Sequence, residues 1–268
     1  MRLKPDKRLG QHFLRDTDVL QDIAAVADVA HSAGVLEIGP GEGALTAFLV
    51  GTGKPVVAID KDPRAIEALH QRFGDAVRGV LGDAVEDDLG ALLPSPDNDG
   101  RLPIVVGNLP YNVASPIFRR LLHLAPQRVS RMVLMFQREV ALRIVAEPGN
   151  KAYGVPSVMA SLLARCHVVR DVPPQAFHPP PKVDSAVILA EPLPDPAHDL
   201  DAAGLEAFGR WLPALFQRRR KKLRHATQAL TDLAAAEATG IDLALRPERL
   251  TPQQIITLFK SQRGVLSE

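Results

Sequence analysis

The residues best suited to chemistry are Asn108-Leu109-Pro110-Tyr111, which follow a short apolar run. An exocyclic aromatic amine is a poor nucleophile because its lone pair is delocalised into the ring. If the Asn108 side-chain oxygen and a backbone carbonyl at Leu109 or Pro110 both accept its hydrogens, the nitrogen is held in line for attack and its rehybridisation toward sp3 is stabilised. Pro110 fixes the turn that aims those carbonyls. Tyr111 supplies a flat face on which a flipped or unpaired base can stack, worth about 1–3 kcal/mol. No strong general base is required. Phe177, in the proline-stiffened stretch Phe177 to Lys182 (FHPPPK), is a candidate to cover the other face of the base; a loop Phe docked in the core fits the same residues nearly as well.

A second constellation surrounds Leu36-Glu37-Ile38-Gly39-Pro40-Gly41-Glu42-Gly43, glycine-rich, directly after a strand-like run and opening a helix. Such a turn lets a ligand approach the backbone at the C-terminal edge of a parallel sheet. The glycines run GxGxG with a proline inserted, not GxGxxG, which disfavours a dinucleotide. Strand-to-helix turns also need glycine for geometry alone, so a purely structural role stays open. The next strand ends at Asp60, about one βα unit on, where a carboxylate can accept from a ribose diol; taken alone, an Asp there also suits a helix cap. Gly82-Asp83-Ala84 ends the third strand and offers a carboxylate to an adenine amino group. Gly, Asp and Asp at three successive strand ends describe a crevice for an adenosine-bearing cofactor. None of the eight histidines has metal-ligand spacing, so no metal is expected, and no Ser/His/Asp or Cys/His arrangement stands out.

These residues need a scaffold, and the periodicity supplies one. Thr17 to Ala30 has apolar positions at helical spacing behind an Asp/Thr start. Strand-like runs at Val35 to Ile38, Pro55 to Asp60, Ala76 to Leu81 and Ile104 to Val106 alternate with helical stretches from Ala44 and from Pro63 to Phe73, which predicts a parallel sheet covered on both faces. After a helix at Pro116 to Leu124, strands are expected at Arg131 to Phe136 and near Cys166 to Val172, with Val183 to Leu189 as a closing edge strand. Cys166 is read as a small core residue. Past Glu191 the segment PLPDPAHD is a linker by composition, and only helical patterns follow, with Thr251-Pro252 starting the last helix. The predicted division is therefore 1–191 for a catalytic α/β domain with an N-terminal arm and 192–268 for a small all-α domain.

The 268 residues, 46% hydrophobic and 24% charged, suit a globular protein with a real core and exclude disorder. No apolar run approaches the ~18 residues of a membrane span, and the opening MRLKPDKRLGQHFLRD lacks an apolar signal segment; a cytoplasmic protein without a membrane partner is expected. The single cysteine excludes an internal disulfide. Net charge is only +1, but Arg210, Arg218, Arg219, Arg220, Lys221 and Lys222 run without an acid between Gly209 and Lys222, and Arg2, Lys4, Lys7 and Arg8 open the chain. A solvated face and a polyanion-binding surface both fit such clusters.

Taken together the chain resembles the small-subunit ribosomal RNA adenine dimethyltransferases of the KsgA type. The matching pieces are LGQHFL from Leu9, LEIGPGEGALT, GDA at Gly82, NLPYN at Asn108, QREVALRIVAEPG, YGVPSV, AFHPPPKVDSAV and LFQRRRKKL, in the family's order over nearly the whole chain. The resemblance implies a Rossmann-like class I methyltransferase with a seven-stranded mixed sheet. It implies S-adenosylmethionine as donor, S-adenosylhomocysteine as product, and dimethylation of two adjacent adenosines in the 3′-terminal hairpin of 16S rRNA within the small (30S) subunit or its precursor. His12, Leu14, Gly39, Asp83 and Asn108 fall on family cofactor positions, with Gly41 in the same turn; Tyr111 and Phe177 fall where the target adenine is sandwiched. Family members carry Glu for the ribose hydroxyls where this chain has Asp60, one methylene shorter, so contact through water or nearby backbone is an alternative to a direct grip. Under this reading Arg218, Arg219, Arg220, Lys221 and Lys222 contact RNA phosphates, and a monomer is expected. Three other readings are a 23S rRNA adenine methyltransferase of the macrolide-resistance type, a non-catalytic RNA-binding factor on the same fold, and a nicotinamide oxidoreductase.

Overall fold

The computed structural model describes residues 3–125, 127–196, 198–227 and 233–263. They form two compact units, one of residues 1–141 and 164–194 and one of residues 142–163 and 195–268. In chain order the strands are β1 (Phe13–Leu14), β2 (Val35–Ile38), β3 (Val56–Asp60), β4 (Arg78–Leu81), β5 (Ile104–Asn108), β6 (Arg131–Gln137), β7 (Ala164–Val172), β8 (Phe177–His178) and β9 (Ser185–Pro192). The helices are α1 (Thr17–Ala27), α2 (Thr46–Val50), α3 (Pro63–Phe73), α4 (Leu89–Leu92), α5 (Ala114–Leu124), α6 (Arg138–Ile144), α7 (Val155–Leu163), α8 (Ala202–Gln217), α9 (Leu223–Thr227), α10 (Leu233–Ala238) and α11 (Pro252–Arg263).

The first unit is built on a seven-stranded sheet of order β4-β3-β2-β5-β6-β9-β7. The strands from β4 to β6 are parallel and β9 runs antiparallel to both its neighbours. β2 and β5 are buried along nearly their whole length, as strands covered on two faces must be. One face carries Val35, Val56, Ala58, Ile104, Val106, Val133 and Val187, which pack with Val19, Leu20, Ile23 and Ala27 of α1 in a single apolar cluster. The rings of Phe118 on α5 and Phe136 on β6 meet edge to face with centroids 5.5 Å apart and join a helix to a strand.

Helix starts follow their caps. Asp16 accepts from the amides of Asp18 and Val19 at 3.0 and 3.1 Å to open α1, and Asp62 with Pro63 opens α3. α1 stops at Ala27, earlier than its periodicity predicts, because Asp28 adopts the left-handed conformation at φ 53° and its amide turns back to Ala24 O. A second difference concerns the closing strand. β9 is not at the edge but lies between β6 and β7, and residues Ser185–Ile188 are buried accordingly; β7, with Arg165 and His167 exposed, is the edge.

Among its described residues the second unit is helical. Phe208 and Leu212 of α8 and Leu258 of α11 are buried, and the Phe208 and Phe259 rings meet edge to face at 5.3 Å. The division at 191 read from the sequence differs here. Residues 142–163 join the C-terminal helices, because α7 packs on α8 and α11 and buries Val158, Met159, Leu162 and Leu163. Tyr153, fully buried, completes this core by donating to Leu250 O at 3.0 Å.

Candidate active site

Strand register brings the candidate residues into one row. Ile38 pairs with Ile59 on one side and Gly107 on the other, so the residues that follow, Gly39, Asp60 and Asn108, lie side by side at the C-terminal ends of β2, β3 and β5. β2 is where the chain order reverses, since β3 and β5 flank it, and this is where an open α/β sheet opens a crevice. Gly39, Gly41 and Gly43 all have positive φ, at 72°, 53° and 73°. A β-carbon at Gly41 would stand 2.9 Å from the Phe13 ring, so glycine is required for close approach as well as for conformation. The resulting cavity is lined also by Leu9 to Phe13 of the N-terminal arm.

His12, Gly39, Gly41, Asp60, Asn108, Leu109, Pro110 and Tyr111 all line this cavity. Asn108 donates its Nδ2 to the His12 carbonyl at 3.0 Å, which fixes the amide and leaves Oδ1 as its acceptor. The Pro110 carbonyl accepts the Val113 amide at 3.0 Å. That bond closes the turn, and Leu109 and Pro110 both line the cavity beside Asn108. The His12 ring stacks on Tyr111 with centroids 5.7 Å apart and planes 25° from parallel. His12 Nδ1 lies 2.8 Å from Pro179 O, and since a carbonyl only accepts, Nδ1 carries the hydrogen. The Tyr111 hydroxyl lies 2.6 Å from Ser185 Oγ.

Asp60 accepts from the Gly41 amide at 3.3 Å and the Asp62 amide at 2.9 Å, one on each oxygen. Burial pushes its carboxyl up from the ordinary range while those two bonds pull it down. Each oxygen keeps a second lone pair for a hydroxyl donor. Asp83 does not line the cavity; Lys61 bridges it at 2.9 Å and, with the Val85 amide, holds its carboxyl below the usual range. Leu14 is buried and borders a smaller adjoining cavity shared with Glu37 and Asn108.

Phe177 is not brought to the cleft. It is 4% exposed, sits in the main apolar cluster, and pairs with Leu14 across the two-stranded β1–β8 ribbon, because β8 draws its backbone into that pairing. Spacing alone does not single out Gln11, Phe13, Lys61 or Ser185. Gln11 ties the arm down, accepting from the Asp6 amide and donating to Asp62 Oδ2 at 2.8 Å; its only sequence signal is its place beside His12 in LGQHFL.

Residues 2–263 match the family described as ribosomal RNA adenine dimethylase. The chain belongs to that family. It is 40% identical over 261 residues, covering 96% of this chain and 92% of the relative, to the ribosomal RNA small subunit methyltransferase A of Brucella canis. It is 39% identical over 265 residues to the protein of that name from Mesorhizobium japonicum, covering 97% and 94% of the two chains. Among solved structures, the 23S rRNA methyltransferase ErmE is 25% identical with a TM-score of 0.68, covering 94% of this chain and 99% of that one. A dimethyladenosine transferase from Plasmodium falciparum has a TM-score of 0.75 at 24% identity, over 92% and 96% of the chains, and shows the shared fold.

This adenine dimethylase carries one buried acid behind its glycine turn. Glu37 is 2% exposed and accepts from Thr46 Oγ1 at 2.6 Å. Burial, and next the Thr46 bond acting against it, set its carboxyl at about 7, with nearby Asp60 adding to the rise. A carboxyl raised in the folded state stabilises fully below its unfolded value and loses that contribution as pH rises through about 7. Glu37→Gln keeps the acceptor for Thr46 without the charge. It is expected to unfold at higher urea than wild type at pH 8, by about 3 kcal/mol at most, with the difference gone at pH 4. Equal urea midpoints at pH 8 would show that Glu37 titrates normally.

The basic run lies in the second unit. Arg218, Arg219, Arg220, Lys221 and Lys222 are all exposed. Arg218 donates to His225 O and Arg219 to Lys151 O, each at 3.3 Å. In the arm, Lys4 is exposed and Arg8 pairs with Asp6 at 2.9 Å; Arg2 lies outside the described residues. Among the described residues no group of three His, Cys, Asp or Glu is arranged to hold a metal, and no helix is long and apolar enough to cross a membrane.

Proposed function

We propose that this chain transfers methyl groups from S-adenosylmethionine to the N6 atoms of two adjacent adenosines in the 3′-terminal hairpin of 16S rRNA, in the small ribosomal subunit or its precursor. The observation that carries the reading is the fixed Asn108 amide. Its nitrogen is committed to His12 O, so Oδ1 faces the chemistry as an acceptor for an amine hydrogen.

The residues present fit the donor. The positive-φ glycines expose the backbone to it, and Asp60, which holds the Gly41 amide, is assigned to its ribose diol. Asp83 is assigned to its adenine, in exchange for the Lys61 bridge. When bound it supplies an electrophilic methyl group on a sulfonium. Asn108 Oδ1 and the backbone carbonyl of Leu109 or Pro110 accept the two amine hydrogens and so turn the nitrogen lone pair out of the ring plane. Tyr111 stacks on the base; Phe177 stays in this role only if β8 releases its ring from the core. As the N–C bond forms the S–C bond breaks, S-adenosylhomocysteine leaves and one amine proton passes to solvent; a second donor molecule, with the one remaining amine hydrogen held, repeats the exchange to give the dimethylated base. The exposed Arg218 to Lys222 run is assigned to RNA phosphates, which position the particle without reading bases.

The stronger resemblance to small-subunit enzymes, 40% identity against 25% for the 23S enzyme, favours 16S rRNA. The test is incubation with S-adenosylmethionine and small subunits from cells lacking the modification, followed by nucleoside mass spectrometry. Dimethyladenosine in the 3′-terminal fragment is the expected result. No product from a protein that binds S-adenosylhomocysteine would overturn the assignment.

A further inference from the structure

Tyr111 sits on the turn after β5, yet its ring is fixed from two directions by residues remote in sequence. Its hydroxyl meets Ser185 Oγ at 2.6 Å. Ser185 is fully buried at the start of β9, with its backbone paired to Gln137 of β6 and Val172 of β7, so the hydroxyl hangs from a rigid point in the sheet. One face of the ring is covered by His12 at 5.7 Å. The His12 ring is itself held by Pro179 O at 2.8 Å, and its backbone carbonyl by Asn108 at 3.0 Å. A stacking platform with one face covered and its far end anchored has a single face and a single plane to offer.

We propose that Ser185 is a positioning residue for methyl transfer: with His12 it sets the plane of Tyr111, so that the target adenine stacks only on the face opposite His12. The inference rests on the reading of Tyr111 as the base platform and deepens it. Ser185 touches neither base nor donor in this scheme. A group positioned by a locked partner holds the amine closer to the in-line geometry, and the loss of that lock is felt in kcat.

The experiment compares wild type, Ser185→Ala, Tyr111→Phe and the double variant on unmodified small subunits, with S-adenosylhomocysteine affinity measured for each. Ser185→Ala is expected to lower kcat by about three- to tenfold, the rate equivalent of one hydrogen bond, with S-adenosylhomocysteine affinity within about twofold of wild type. Tyr111→Phe removes the same bond from the other end and is expected to match it. The double variant should fall no further than either single change, because both delete one interaction. Unchanged kcat in either single variant overturns the proposal, and so do losses that multiply, since a separate packing role for Ser185 would give additivity. If Ser185→Ala does not fold, Tyr111→Phe decides alone. Wild type is the control that separates the two readings: no dimethyladenosine with wild type refutes the substrate assignment and this inference with it. Product with wild type and full kcat in the variants refutes this inference only.

Discussion

Asn108→Ala is expected to lower kcat for methyl transfer about 100- to 1,000-fold, the range seen when a donor or acceptor aimed at a transition state is removed. Wild-type Asn108 spends its Nδ2 on His12 O and keeps Oδ1 for the amine, so alanine deletes the interaction that turns the nitrogen lone pair toward the methyl group. It also frees the arm at one point, and S-adenosylhomocysteine affinity should weaken by about fivefold, the worth of one hydrogen bond. Asn108→Asp separates the two roles. It keeps an acceptor for the amine but sets a carboxylate oxygen against the His12 carbonyl, so its cofactor affinity should fall below that of the alanine variant. Steady-state kinetics on small subunits, with parallel calorimetry, reads both quantities. A kcat within tenfold of wild type for Asn108→Ala would remove Asn108 from the reaction.

The second large effect is expected from charge reversal in the basic run. Arg220→Glu with Lys222→Glu should weaken binding to the ribosomal particle by about 10- to 100-fold near physiological salt. The slope of log affinity against log salt should drop by about 2, one for each phosphate no longer neutralised. Both side chains are exposed, so the thermal midpoint should hold. Methyl transfer at saturating particle should also hold, because phosphate contacts position the substrate without touching the amine. An unaltered salt slope would mean that these residues form only a solvated face.

Much of the site is legible in the amino-acid sequence. Gly39, Asp60 and Asn108 each end an apolar run of strand length, and parallel strands joined by helices must place such ends on one edge. The helical tail is legible too, because its apolar residues recur at helical spacing after a proline-rich linker. What escapes are features that depend on pairing between distant segments. Val183 to Leu189 alternates like an edge strand, yet β9 runs between β6 and β7, where it pairs antiparallel with both. Residues 142–163 read as part of the α/β domain, but the apolar face of α7 finds its partners on α8 and α11.

The amino-acid sequence by itself determined the α/β class, the glycine turn, the acids at the strand ends and the Asn-Leu-Pro-Tyr turn, because each follows from local periodicity or from backbone freedom particular to glycine and proline. Tertiary structure alone decided that His12 covers Tyr111, that Ser185 holds its hydroxyl, that Lys61 occupies Asp83, and that Phe177 is spent on the core. The reason is physical. Side-chain hydrogen bonds and ring contacts between residues tens of positions apart depend on three-dimensional register, and no spacing within one segment encodes them.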